Sequence, residues 1–295
     1  MTVRVSVLTL QPAPYETLHE RWRRIEELGF DGIWVADGLA ELGGALAFDA
    51  WAVLGGLAQA TSRVRVGTLV STVTLRHPAV LAKAAQTIDH ISNGRLDVGI
   101  GLGDPVDRRT LGIAEWSTDE RIGRLIETLQ IADGLLRGED VSYEGTYYRC
   151  TLRIAPPRQR PRPPLLVAAN GPRAIAVAAR FADIWNTLGG QPEGDLDPVP
   201  LSEALGRTRR QLELLEEACG RLGRDPHTIR RSMLAYRVRP PLFASVGRFE
   251  DVIGRYRELG IDEFIVTWPG VITRSPQQEA VLELTAAEVL PRLRS

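Results

Sequence analysis

The chain has 295 residues, 44% apolar and 25% charged, enough for one large domain or two ordinary ones and unlike a disordered or collagen-like composition. Its 36 basic and 37 acidic side chains leave a net charge of −1, so no long-range field draws it to nucleic acid or to an anionic membrane. Lys83 is the single lysine, and chemistry that needs a nucleophilic amine would have to use it or the amino terminus. Cys150 and Cys219 lack CxxC spacing, which argues against a zinc site or a disulfide framework. With no leader-like start and no apolar run of membrane-spanning length, the expectation is a cytoplasmic protein without a metal site.

In chain order, short β-branched runs alternate with longer stretches of helical periodicity. The strand candidates are Val3 to Leu10, Gly32 to Ala36, Val64 to Val70, Leu96 to Gly101, Leu165 to Ala169, Asp183 to Leu188, Ile229 to Val238 and Ile261 to Trp268. Helical patterns follow each of them or its loop: Tyr15 to Leu28, Asp49 to Thr61, Pro78 to Ile91, Thr118 to Leu136, Pro172 to Phe181, Leu201 to Leu222, Val246 to Leu259 and Gln277 to Leu293. In the fourth helix Ile122, Leu125, Ile126, Leu129, Ala132 and Leu136 recur at steps of three and four, the mark of one buried face. Leu28-Gly29-Phe30-Asp31 and Leu259-Gly260-Ile261-Asp262 both place a glycine just past a helix.

Eight strand-then-helix units, with strands that read as continuous apolar runs, predict a single α/β domain over residues 1–295: a (β/α)8 TIM barrel with insertions after strands 4 and 6. The first insertion spans about 139–164. It reads as a hairpin, Val141 to Tyr143 against Thr146 to Tyr148, followed by a proline-arginine tract. The second is a Gly/Pro/Asp-rich loop at about 189–200.

In such a barrel chemistry gathers at the carboxyl ends of the strands. The turn Ala168-Ala169-Asn170-Gly171-Pro172-Arg173 has small residues that let a ligand approach the main chain, and a proline suited to a helix start. Free N–H groups there, with Arg173 nearby, would hold a phosphate; an ordinary tight βα connection is the structural alternative, and the motif alone favours that alternative. Gly99-Ile100-Gly101-Leu102-Gly103 suggests a dinucleotide loop, but Asp104-Pro105 breaks the required spacing. Asp37 and Asp104 each end a strand and are the candidate catalytic carboxylates; turn forming and loop capping are their structural alternatives. His77 reads as a packed residue at a helix start, and His19, His90 and His227 as surface or capping residues. Trp51, Trp116 and Trp185 suit the core, whereas Trp268, ending the eighth strand, is the candidate for a substrate cavity.

Several ordered blocks resemble the bacterial-luciferase-like monooxygenase superfamily. They are Glu27 to Val35, Thr61 to Val70, Leu75 to Lys83, Ile88 to Leu96, Tyr143 to Tyr148, Pro164 to Arg173 and Ala182 to Asn186. The texture is most similar to the branch that uses the deazaflavin coenzyme F420; sister branches use flavin mononucleotide (FMN). The resemblance implies a cofactor ring resting on a bulge at the third strand, built from Leu69, Val70 and Ser71 with Gly103 beside it, and a non-prolyl cis peptide at Leu69–Val70. It also implies a phosphate grip at Ala168, Ala169, Asn170 and Gly171, and a homodimer joined through helices of the second and third units. Hydride transfer between F420 and a small organic substrate is the activity it implies, with FMN-dependent monooxygenation and a cofactor-poor, ligand-binding barrel as alternatives. Two departures stand out: Asp37-Gly38 occupies a position where relatives often have Asp-His, and Asp104-Pro105-Val106 follows the fourth strand in a shortened loop.

Overall fold

The computed structural model describes residues 3–39, 47–103, 105–192, 197–235, 237–269 and 276–294. In chain order the elements are β1 (Arg4–Thr9), α1 (Tyr15–Glu27), β2 (Gly32–Val35), α2 (Ala50–Ala60), β3 (Arg65–Thr68), β4 (Ser71–Thr72), α3 (Pro78–Ile91), β5 (Leu96–Gly101), α4 (Pro105–Thr110), α5 (Thr118–Leu136), β6 (Val141–Glu144) and β7 (Arg149–Leu152). Then come β8 (Leu165–Ala168), α6 (Pro172–Phe181), β9 (Ile184–Thr187), α7 (Leu201–Leu222), β10 (Arg230–Leu234), α8 (Val246–Glu258), β11 (Glu263–Thr267), α9 (Pro276–Glu288) and α10 (Leu290–Arg294).

All pairings in the main sheet are parallel, and the sheet closes on itself because β3 and β4 both pair with β5. β3 and β4 are the two halves of one barrel strand, so the barrel has the eight expected staves. Register follows directly along the seam, with Val66 opposite Leu96 and Ser71 opposite Ile100. No described helix is long and apolar enough to cross a membrane.

Strand alternation sorts the side chains into two cores. Leu8, Leu10, Trp34, Leu69, Leu166, Ile184 and Ile265 meet inside the barrel. Residues of opposite parity, such as Val5, Val7, Ile33, Val66 and Phe264, pack outward against the helices. Trp34 fills the interior across β3, where a Cβ on Gly67 would come within 2.6 Å of the indole. The amino-terminal floor of the barrel is ionic. Arg65 grips Asp97 with two hydrogen bonds of 2.7 Å, and Arg230 reaches the buried Glu263 at 3.0 Å.

The predicted bounds of α3, α5, α6 and α7 coincide with those observed. Three local expectations need correction. The last helix is broken into α9 and α10, with Pro291 just past the break, where a proline lacks the donor that a continuous helix requires. The loop after β5 contains the short helix α4, since Pro105 starts a helical turn rather than preventing one. The returning strand of the hairpin is Arg149–Leu152 and not Thr146 to Tyr148, because Glu127 on α5 takes the N–H groups of Thr146, Tyr147 and Tyr148 at 2.7, 3.0 and 2.9 Å. Those donors cannot also serve a strand ladder.

Burial pushes the Glu263 carboxyl up to about 7, against the pull of Arg230. The folded protein therefore holds this proton more tightly than the unfolded chain does. Its contribution is complete below about pH 4.5, the ordinary value, and is lost as pH rises through about 7. Glu263→Gln should flatten the fall in stability between pH 5 and pH 8 by about 3 kcal/mol, read from urea unfolding at the two pH values. An unchanged pH dependence would contradict the assignment.

Candidate active site

Two cavities open where the strands end. The first, of about 360 Å³, lies between the ends of β5 and β8 and the starts of α5 and α6; Val70, Gly101, Gly103, Arg121, Gly171 and Arg173 are part of its lining. The second, of about 370 Å³, lies at the ends of β10 and β11 and includes Thr267 and Trp268.

The first cavity brings together most of the residues expected to hold a cofactor. The peptide between Leu69 and Val70 is cis and separates β3 from β4. Val70 leans on β5 so closely that a Cβ on Gly101 would lie 2.6 Å from its Cγ2. Ser71 turns into the protein instead: its Oγ accepts from Trp51 Nε1 at 2.9 Å and donates to Thr68 Oγ1 at 3.1 Å. Gly103 has φ +85°, a left-handed conformation that glycine adopts freely, and the hydroxyls of Thr72 and Thr74 gather beside it, buried and without hydrogen-bond partners.

On the opposite wall, Ala168, Ala169, Asn170 and Gly171 lead into α6. No side chain caps this helix, and a Cβ built on Gly171 would meet nothing within 4 Å. Asn170 turns its side chain away to hold the scaffold: its Oδ1 accepts from Thr187 Oγ1 at 2.9 Å and from the Leu188 N–H at 3.0 Å. Arg173 is paired with Asp119. Arg121, one turn into α5, lines the same cavity, and its Nε is buried with no partner. Its position just after the Ser117 cap is the signal that could have marked it.

Asp37 is buried at the end of β2, its side chain only 3% exposed, and pairs with Arg76 at 2.5 Å. Arg76 spans from Asp37 to Asp49, the residue that caps α2, also at 2.5 Å. Burial moves the Asp37 carboxyl above its ordinary range, with Arg76 pulling the other way; the guanidinium is raised in turn by its two carboxylates, against its own desolvation. The cluster is a clasp across the loops after β2 and β4. His77 is the cap of α3, its Nδ1 accepting from the Ala79 N–H at 3.2 Å, and it meets the Tyr148 ring edge-on. Tyr148 then reaches the Val73 carbonyl at 3.1 Å and so docks the hairpin against the end of the split strand. Asp104 lies outside the described residues. Trp268 is 4% exposed and lines the second cavity, with Arg21 over its ring at 5.7 Å to the centroid.

Arg76→Ala would leave Asp37 buried without its counter-charge. Stability should fall by about 3 kcal/mol at pH 8. The loss should be smaller at pH 5, because the lone carboxyl would take up a proton in the folded state and so favour folding at low pH. Equal losses at both pH values, measured by thermal or urea unfolding, would refute the clasp.

The comparisons with known proteins agree with this geometry. Residues 1–234 match the luciferase-like monooxygenase family model. An F420-dependent glucose-6-phosphate dehydrogenase from Microbacterium testaceum is 32% identical over 91% of this chain and 90% of its own length. Among solved structures, the F420-dependent tetrahydromethanopterin reductase of Methanopyrus kandleri superposes with a TM-score of 0.81 at 18% identity, covering 99% of this chain and all of that one. An F420-dependent secondary alcohol dehydrogenase, solved with an F420–acetone adduct, gives a TM-score of 0.77 at 21% identity over the full length of both chains. These two establish a shared barrel. The family match and the Microbacterium relative go further: the chain belongs to the luciferase-like monooxygenase family.

Proposed function

We propose that this protein is an F420-linked oxidoreductase that moves a hydride between the deazaflavin and a small organic substrate. The observation that carries the reading is the first cavity, which runs from the split third strand to the uncapped start of α6. Its residues fit an anionic cofactor. Pro172 has no N–H to lose, the following N–H groups have no side-chain cap, and Arg121 adds an unsatisfied guanidinium nitrogen. An anion held by backbone N–H groups also needs no basic patch, in keeping with a chain of net charge −1.

When bound, the deazaflavin supplies a ring carbon that accepts or donates hydride. The chain supplies placement and exclusion of water. Val70 and Leu102 give an apolar seat above Leu69 of the barrel interior, Gly101 lets Val70 close on β5, and Ala168 to Gly171 with Arg121 hold the phosphate end. Asp37 acts as a positioning residue, since Arg76 already engages its carboxylate. Gly38 offers no imidazole, so proton transfer at the substrate falls to other groups.

FMN also carries a phosphate and would use the same grip. The relative of 32% identity is named for F420, and that favours the deazaflavin. The open cavity and the uncapped helix weigh against a barrel that has lost its cofactor.

Gly171→Val separates binding from folding. Its φ of −89° suits any residue and the new side chain meets open space, so the melting temperature should stay unchanged. The F420 dissociation constant should rise tenfold or more, about 1.4 kcal/mol. Unchanged affinity in a fluorescence titration would refute the phosphate grip.

A further inference from the structure

A third cavity, of about 220 Å³, lies at the amino-terminal end of the barrel, away from the mouth. Strand alternation builds it: Arg4 on β1, Arg65 on β3, Asp97 on β5, Arg230 on β10 and Glu263 on β11 all turn inward near the starts of their strands, and Asp31, just before β2, completes the ring. The charges balance, but the pairings are unequal. Arg65 is committed to Asp97 by two hydrogen bonds of 2.7 Å, and Asp31 accepts the Val5 N–H at 2.8 Å. Glu263 has only Arg230 Nη1, at 3.0 Å, as a side-chain partner among the described residues. Arg4 lies opposite Glu263 in the register of β1 and β11, is exposed to solvent, and makes no side-chain hydrogen bond among the described residues. The indole of Trp34 roofs the ring. Its Cζ3 and Cε3 lie against β3, where a Cβ on Gly67 would come within 2.6 and 2.9 Å, so the edge that carries Nε1 is left to the interior. Trp34 is 2% exposed, and this Nε1 is buried without a hydrogen-bond partner. A buried donor in such a place is poorly satisfied until a ligand oxygen meets it.

We propose that this floor cavity binds a small monocarboxylate, held by Arg230 and Arg4 beneath the Trp34 N–H, and that a proton enters with the anion and settles on Glu263. The balance of charge sets the coupling. With Glu263 ionised the ring is neutral and Arg230 already has its carboxylate. Protonating Glu263 removes one anion and leaves the ring cationic, and the planar guanidinium then offers its fork to the two oxygens of the guest. Burial pushes the Glu263 carboxyl up to about 7, with Arg230 and Arg4 pulling it down and Asp97 and Asp262 pushing it up. Those four, with Arg65 and Asp31 across the cavity, are the charged groups around Glu263 among the described residues. An anion bound beside it favours the protonated form, so affinity is greatest below pH 7 and falls as pH rises through that value. A cavity of about 220 Å³ has room for a short carboxylate together with water. The site lies at the other end of the barrel from the cofactor seat and does not depend on the function proposed above.

The test titrates sodium acetate into the full chain by isothermal calorimetry at constant ionic strength, at pH 6, pH 7 and pH 8, each in two buffers of different ionisation heat. The acetate dissociation constant should rise about tenfold from pH 6 to pH 8, while proton uptake climbs from about zero to about one per acetate. Glu263→Gln, neutral at every pH, should keep the pH 6 affinity throughout and take up no proton. Arg230→Leu should weaken binding at least about tenfold at pH 6. Melting curves show whether each variant is folded, and the proton uptake of the parent decides the matter without any variant. No saturable binding at pH 6, or equal affinity at pH 6 and pH 8 without proton uptake, would overturn the assignment. So would binding that survives Arg230→Leu and is lost in Gly171→Val, which would place the anion at the start of α6.

Discussion

The close approach of the third barrel strand to β5 is the constraint on which the mouth of the barrel depends. A Cβ on Gly99 would lie 1.9 Å from the Thr68 carbonyl oxygen, so only glycine fits there, and Thr68 Oγ1 donates back to the Gly99 carbonyl at 3.1 Å. One step up, Gly101 accommodates Val70 in the same way. With the two strands pressed together, the third strand breaks at Leu69–Val70 and resumes as β4, still paired with β5. The glycine run thus serves strand contact, and the phosphate grip proposed above lies at a different turn, at the start of α6. One wall of the first cavity is made by backbone proximity and the other by backbone N–H groups. Neither requires charged side chains in quantity.

Around this seat, long-range contacts fix the loops. Arg76 ties the loop after β2 to the start of α2, Glu127 gathers the hairpin turn, and Tyr148 carries that turn to the Val73 carbonyl. Each joins segments far apart in the chain and places them beside the end of the split strand. Below them the barrel interior passes from the apolar layer around Trp34 to an ionic floor of arginines and carboxylates. The mouth and the floor are therefore chemically distinct ends of one core, and Glu263, whose carboxyl burial pushes up, belongs to the floor.

Much of this was legible in the sequence. The staves of the barrel follow from apolar runs, and helices such as α3 and α6 are bounded by a proline at their first position, a local signal. The turn from Ala168 to Gly171 and the place of Leu69–Val70 could also be named in advance, the second only through family resemblance. The rest depends on partners that no local pattern encodes. Asp37 reads as a free carboxylate until Arg76, 39 residues away, is seen to hold it. The tyrosines at 147 and 148 have strong strand propensity, yet a carboxylate on α5 takes their N–H groups and delays the strand.

The central claim is that the split third strand and the uncapped start of α6 together form a seat for a phosphate-bearing deazaflavin. The most direct measurement is a parallel equilibrium titration of the purified protein with F420 and with FMN, followed by fluorescence. The account predicts saturable binding of F420 at one site per chain and at least about tenfold weaker binding of FMN. Tight binding of FMN with none of F420, or of neither, would contradict it.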